Sequence, residues 1–189
     1  ASQTDVVTFT LKVTNAVSEE KSLTLNYPEP YWINSNNFGS LWPIKISPNI
    51  TGITSAQISS SGMLEVPVAI ELLPEWEGFI LGSVKINDGK NIYTVPYMIS
   101  RFSELTVYVD VPQELSEYYL TVVKDDLSYF TSNNDPSTKI ADNTYKFKAF
   151  AGNYTIAVVN GFHEPKEYML FGRANVAPQS ANSAIVRFS

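Results

Sequence analysis

Apolar and polar residues alternate with a period of two along most of this chain. Leu64, Val66, Val68, Ile70 and Leu72 fall at every second position, the pattern of a strand with one face buried. Val7, Phe9, Leu11 and Val13 repeat it with Thr8, Thr10 and Lys12 between them. Leu23 and Leu25, then Ile44 and Ile46, read as shorter strands, and Phe79–Ile86 and Asn91–Ile99 as longer ones. Asp88-Gly89 between those two runs is a hairpin signal, because glycine takes the positive φ that such turns need. A second series begins at Leu105, Val107, Val109 and Val111. It continues through Tyr118–Val123, Leu127–Phe130, Tyr145–Ala149, Tyr154–Val159, Tyr168–Phe171 and Ala184–Phe188. Pro28 and Pro30 end a strand, since proline donates nothing to a ladder. No window of ten residues carries a helical period; at most Pro112–Tyr119 holds one helical turn.

The two series meet at Phe102-Ser103-Glu104. The economical assignment is therefore all-β, two tandem immunoglobulin/fibronectin-III-like sandwiches of seven strands each, over residues 1–102 and 103–189. Of the 189 residues, 44% are hydrophobic and 17% charged, enough apolar material for packed cores. A net charge of −6 offers no basic stripe for nucleic acid and disfavours anionic lipid. No apolar run approaches the roughly 20 residues that span a bilayer. Cysteine is absent, which removes disulfides and thiolate metal sites. The Ala1-Ser2 start fits a mature secreted chain cleaved behind a small residue, and equally a boundary within a longer chain.

Several residues resemble the fibronectin-III-like accessory domain that follows the catalytic domain in secreted subtilisin-like proteases. They are Val6–Asn15, Leu64-Glu-Val-Pro-Val68, Gly78-Phe79, Gly82–Ile86, Asp88-Gly89 and Tyr93-Thr-Val-Pro-Tyr97. The resemblance covers about half the chain. It implies a β-sandwich serving as an accessory part, or a relative that uses the module alone; the protease's catalytic motifs are missing. The second half looks like an immunoglobulin-type or transthyretin-like sandwich, with Phe150–Ile156 its most typical segment.

Candidate chemistry is sparse. A nucleophile–histidine–carboxylate triad needs a histidine, and the one present, His163, lies between a turn and a proline. Glu71, Glu75 and Glu77 flank Trp76 as the carboxylates of a sugar cleft do, yet Pro74-Glu-Trp-Glu-Gly78 falls in a loop between strands, where charged residues are solvated. Asp125-Asp126 and Asn133-Asn134-Asp135 carry hard oxygen ligands for calcium without EF-hand spacing. No catalytic residue, cofactor or metal is therefore assigned. Asn49-Ile-Thr51 and Asn153-Tyr-Thr155 are N-glycosylation acceptor triplets. Tyr31, Trp32, Trp42 and Trp76 are rings suited to a partner surface or, less directly, to stacking on sugars.

These features point to a non-catalytic protein of the cell exterior that works by assembly. The partners expected are copies of itself or another cell-surface protein, not nucleic acid and not a bilayer, with N-glycans as covalent additions. A strand carrying Val7, Phe9, Leu11 and Val13 near the N-terminus is suited to donation into a neighbour's sheet. Head-to-tail exchange of that kind does not close and yields a filament or layer.

Overall fold

The structure, a computed structural model, describes residues 5–34, 43–111, 117–160 and 169–187. Among these, residues 5–33 and 43–100 form one compact unit, and 101–111, 117–160 and 169–187 belong to another. Both are built of strands, and the only helical element among the described residues is a 3-10 turn at Pro136–Thr138.

The first unit holds nine strands where seven were expected: β1 Asp5–Thr14, β2 Lys21–Asn26, β3 Tyr31–Ile33, β4 Ile44–Lys45, β5 Asn49–Thr51, β6 Ser55–Ile58, β7 Met63–Leu72, β8 Gly78–Asn87 and β9 Ile92–Arg101. The extra strands arise between residues 28 and 58, where Pro28, Pro30, Pro43 and Pro48 cut the chain into short pieces. One sheet runs β1-β7-β5; the other runs β4-β3-β8-β2-β6, with β9 also paired to β8. β2 and β3 follow one another along β8. Asn26 faces Lys85 and Tyr31 faces Leu81, so the four residues 27–30 are set against the three residues 82–84. That surplus residue, held by two prolines, is a bulge of the sort that bends a strand. The core is the alternate set read from the sequence: Val66, Val68, Ile70 and Leu72 of β7 pack with Ile80, Val84 and Ile86 of β8. Across them, Gly82 leaves room for Tyr97; a Cβ at Gly82 would lie 2.3 Å from that ring.

The Asp88-Gly89 hairpin forms as its composition implies. Asp88 Oδ1 accepts from the N–H groups of Lys90 (2.9 Å) and Asn91 (2.7 Å), while Gly89 takes φ +89°. Those two N–H donors hold the Asp88 carboxyl below the usual range.

The second unit holds eight strands: β10 Ser103–Asp110, β11 Tyr118–Lys124, β12 Phe130–Ser132, β13 Lys139–Ala141, β14 Thr144–Ala149, β15 Gly152–Asn160, β16 Met169–Val176 and β17 Ala181–Arg187. They make two four-stranded sheets, β13-β14-β10-β17 and β12-β11-β15-β16, in which β10 and β17 pair in parallel. Leu105 and Val107 of β10, Phe147 of β14, Leu120 and Val122 of β11 and Ile156 of β15 form its core. Tyr118 and Tyr119 are strand residues; residues 112–116 of the suggested helical turn, like His163, lie outside the described residues.

Leu127–Phe130 corrects another expectation: only Phe130 belongs to a strand. Asp126 folds the segment into a turn by accepting from the N–H (3.0 Å) and Oγ (2.6 Å) of Ser128. Leu127 there adopts φ +60° and points into solvent. Lys124 Nζ, 2.7 Å from the Asp126 carboxylate, and Ser128 together pull its pKa down to about 2. A carboxyl depressed on folding adds stability above its unfolded pKa near 4, and that part is lost as the pH falls from about 4 to 2. Asp126→Asn is expected to flatten the pH dependence of unfolding in that window. At neutral pH it should cost less than about 1 kcal/mol, because the pair is solvent-screened. Chemical denaturation of both proteins at pH 2, 4 and 7 measures this; equal slopes would refute it.

Candidate functional site

β1 is the element on which the surface of the first unit turns. All ten of its residues pair with β7, from Asp5 against Leu72 to Thr14 against Met63. It pairs with no other described strand, so it is an edge. Val7, Phe9, Leu11 and Val13 face the core but stay half-buried, whereas Val66, Val68 and Ile70 of β7 are at most 1% exposed. β9, the edge of the opposing sheet, lies across from β1. Phe9 and Tyr97 meet there with ring centroids 5.2 Å apart.

Beyond that ring pair the two edges part and leave a groove of about 770 Å³. Leu11 and Val13 form one wall, Val95 and Tyr93 the other, and Leu23, Ile58 and Ile86 the floor. Tyr93 follows Tyr97 and Val95 on the inward-facing side of β9, yet it is 52% exposed, its hydroxyl donating to Asp88 Oδ2 at 3.5 Å. Lys21, Lys90 and Asp88 stand at the rim, whereas the Lys12 side chain turns outward to Glu65.

β1 is anchored after its last residue. The buried Asn15 donates from Nδ2 to the carbonyls of Glu19 (2.7 Å) and Ser59 (3.0 Å), and its N–H donates to Gly62 O (2.9 Å). Nothing in the residue pattern of β1 announced this clamp; an asparagine directly after a strand is the signal that was available.

The other candidates scatter. Trp32 is half-buried and donates from Nε1 to Glu77 O at 2.7 Å. Trp76 packs half-buried against the same core, so both rings serve the fold more than an open platform. Tyr31 is 47% exposed on the outer face, paired with Leu81; Trp42 lies outside the described residues. Glu77 is buried, while Glu71 and Glu75 are exposed.

Of the oxygens weighed for calcium, those of Asp125, Asp126, Asn133 and Asp135 are already engaged. Asp125 takes Arg173 at 2.6 Å and the Thr155 hydroxyl at 3.0 Å. Asn133 accepts from the N–H of Leu120 at 2.9 Å and donates to the carbonyl of Tyr118 at 3.2 Å. Asp135 caps the 3-10 turn. Among the described residues no three acidic or histidine side chains cluster as metal ligands would.

Both acceptor asparagines are exposed on strands, Asn49 on the edge strand β5 and Asn153 on β15. Asn153 Oδ1 accepts from Asn175 at 2.8 Å, and the Thr155 hydroxyl accepts from Arg173 at 3.0 Å. Asn49 is thus the less encumbered of the two.

Within this arrangement the chemistry on offer is backbone pairing and apolar burial, carried on an all-β scaffold. No protein-family model matches the chain, and no curated protein does. Solved structures similar to it include the Bacillus anthracis TIE protein, at 10% identity and TM-score 0.33, over 97% of this chain and 40% of that one. The pilus adhesin RrgA from Streptococcus pneumoniae is similar at 8% identity and TM-score 0.29, over 90% and 32%. The chain spans less than half the length of either, and such TM-scores fall below the level of a shared fold.

Proposed function

We propose that this chain is a non-catalytic structural protein of the cell exterior, assembling with copies of itself or another surface protein by exchange of β1. The observation that supports this is β1 itself: a ten-residue strand at a sheet edge, paired on one side only. Its four apolar side chains are half-buried. A neighbour's copy of the same strand makes the same ten pairs with β7, so exchange conserves every bond and costs chiefly the opening of the Asn15 clamp. The two exposed acceptor asparagines suit an extracellular setting.

The register supplies the test. Lys12 pairs with Glu65, their charged atoms 3.8 Å apart and both largely exposed, and no native cysteine interferes. The double variant Lys12→Cys/Glu65→Cys, oxidised at high protein concentration, is expected to give disulfide-linked dimers and a ladder on non-reducing gels. Bridges confined within single chains, at every concentration tried, would rule out exchange.

A further inference from the structure

We infer that two copies of this chain pair along the free edge of β1, antiparallel and about a two-fold axis at Thr10, so that their sheets join into one. The choice of a second copy rests on the assembly reading. The contact does not rest on exchange, because β1 presents the same free edge whichever chain supplies it.

The register shows which groups are free. The Asn15 N–H donates to Gly62 O at 2.9 Å, which makes that pair a hydrogen-bonded one, and the same register runs unbroken from Thr14–Met63 to Asp5–Leu72. Bonded and non-bonded pairs alternate along an antiparallel ladder. Val7, Phe9, Leu11 and Val13 are therefore bonded to β7, whereas Val6, Thr8, Thr10, Lys12 and Thr14 direct N–H and C=O away from it. These last are all exposed, and no other described strand pairs with them.

The other edges of this unit are blunted. The hairpin bond from the Asp88 N–H to Asn91 O puts the even-numbered residues of β9 on its free side, and Pro96 there has no N–H to give. Pro67 likewise takes the side of β7 turned to β5, past Ala69, where the pairing with β5 stops. β4, β5 and β6 are only two to four residues long. β1 has ten residues with no proline, glycine or register shift. Its one outward charge, Lys12, turns back to Glu65. A long edge left in that state is a template for another strand.

A second copy fits this template in charge and in face. About Thr10, Val6 meets Thr14 of the copy, Thr8 meets Lys12 and Thr10 meets Thr10, so no like charges are opposed. On the core side Val7 meets Val13 and Phe9 meets Leu11, apolar against apolar, covering what the fold leaves of four half-buried side chains.

Sedimentation equilibrium of the full chain is expected to show a concentration-dependent dimer. It should persist in Lys12→Cys/Glu65→Cys chains bridged internally, in which β1 cannot leave. Thr10→Lys and Thr10→Glu each set like charges face to face and should weaken the dimer about tenfold or more. An equimolar mixture of the two should restore it. Thr10 is exposed, so thermal unfolding should not change. Thr8→Pro removes an N–H from the free edge and none from the ladder with β7, and should also weaken the dimer. A chain that stays monomeric at millimolar concentration overturns the contact. So do charge variants that dimerise like the parent, or a mixture no tighter than its components. Exchange alone leaves Thr10 in solvent and the dimer indifferent to its charge, so the two readings fail separately.

Discussion

Deleting residues 1–14 is expected to unfold the first unit rather than trim it. Taken as a sequence, the N-terminal strand is a detachable appendage whose loss leaves a soluble monomer. Its pairing with all ten residues of β7 changes that expectation. Val7, Phe9, Leu11 and Val13 are each half-buried, so their removal forfeits on the order of 1 kcal/mol apiece. It also uncovers Val66, Val68 and Ile70, which are now at most 1% exposed. The sum is several kcal/mol, set against the roughly 5–15 kcal/mol that holds a typical domain together. Circular dichroism on heating should show one cooperative transition lost. A synthetic peptide of residues 5–14 added in trans should restore it, since its ten partners on β7 remain. A deletion variant that melts like the intact chain would show that β1 is dispensable to the fold.

The second large effect is expected at Tyr154. Its ring is fully buried in the second unit, and its hydroxyl donates to the carbonyl of Phe150 (2.9 Å) while accepting from the N–H of the same residue (3.0 Å). One side chain thus ties both backbone groups of Phe150, whose ring sits edge-on to Phe102 and Tyr129. Tyr154→Phe keeps the ring and removes both bonds, for an expected loss of about 1–3 kcal/mol. Tyr154→Ala also opens a cavity and should cost about 3–5 kcal/mol. Denaturant titration of the two variants separates the contributions. If Phe and Ala were equally harmful, the hydroxyl would carry the whole effect; if Phe were harmless, its two bonds would contribute nothing to stability.

Much of the architecture was legible because strands impose a two-residue rhythm that local sequence displays openly. Val66, Val68, Ile70 and Leu72 were assigned to one face and lie there, and Asp88-Gly89 makes the hairpin its composition demands. Errors arose where a polar side chain overrules the apolar pattern. Leu127 looked like a strand residue, but Asp126 gathers three hydrogen-bond donors and turns the chain beneath it. The rings of Trp32 and Trp76 could be recognised as useful but not placed, because burial depends on loops distant in sequence. For the same reason the groove was invisible: its walls come from residues 11–13 and 93–95, and only the packing of two sheets sets them face to face.

The parallel pairing of β10 with β17 bears on load. Glu104 lies beside Ala181 and Asp110 beside Arg187, seven pairs in all, so the unit is entered at one end of this ladder and left at the other. Tension applied between residues 103 and 187 slides the two strands along their own axis and strains all seven pairs together, instead of peeling them one by one. Rupture then waits on a single concerted event, whose rate governs forced unfolding. Pulled end to end, the second unit is expected to yield as a block and not as a seam.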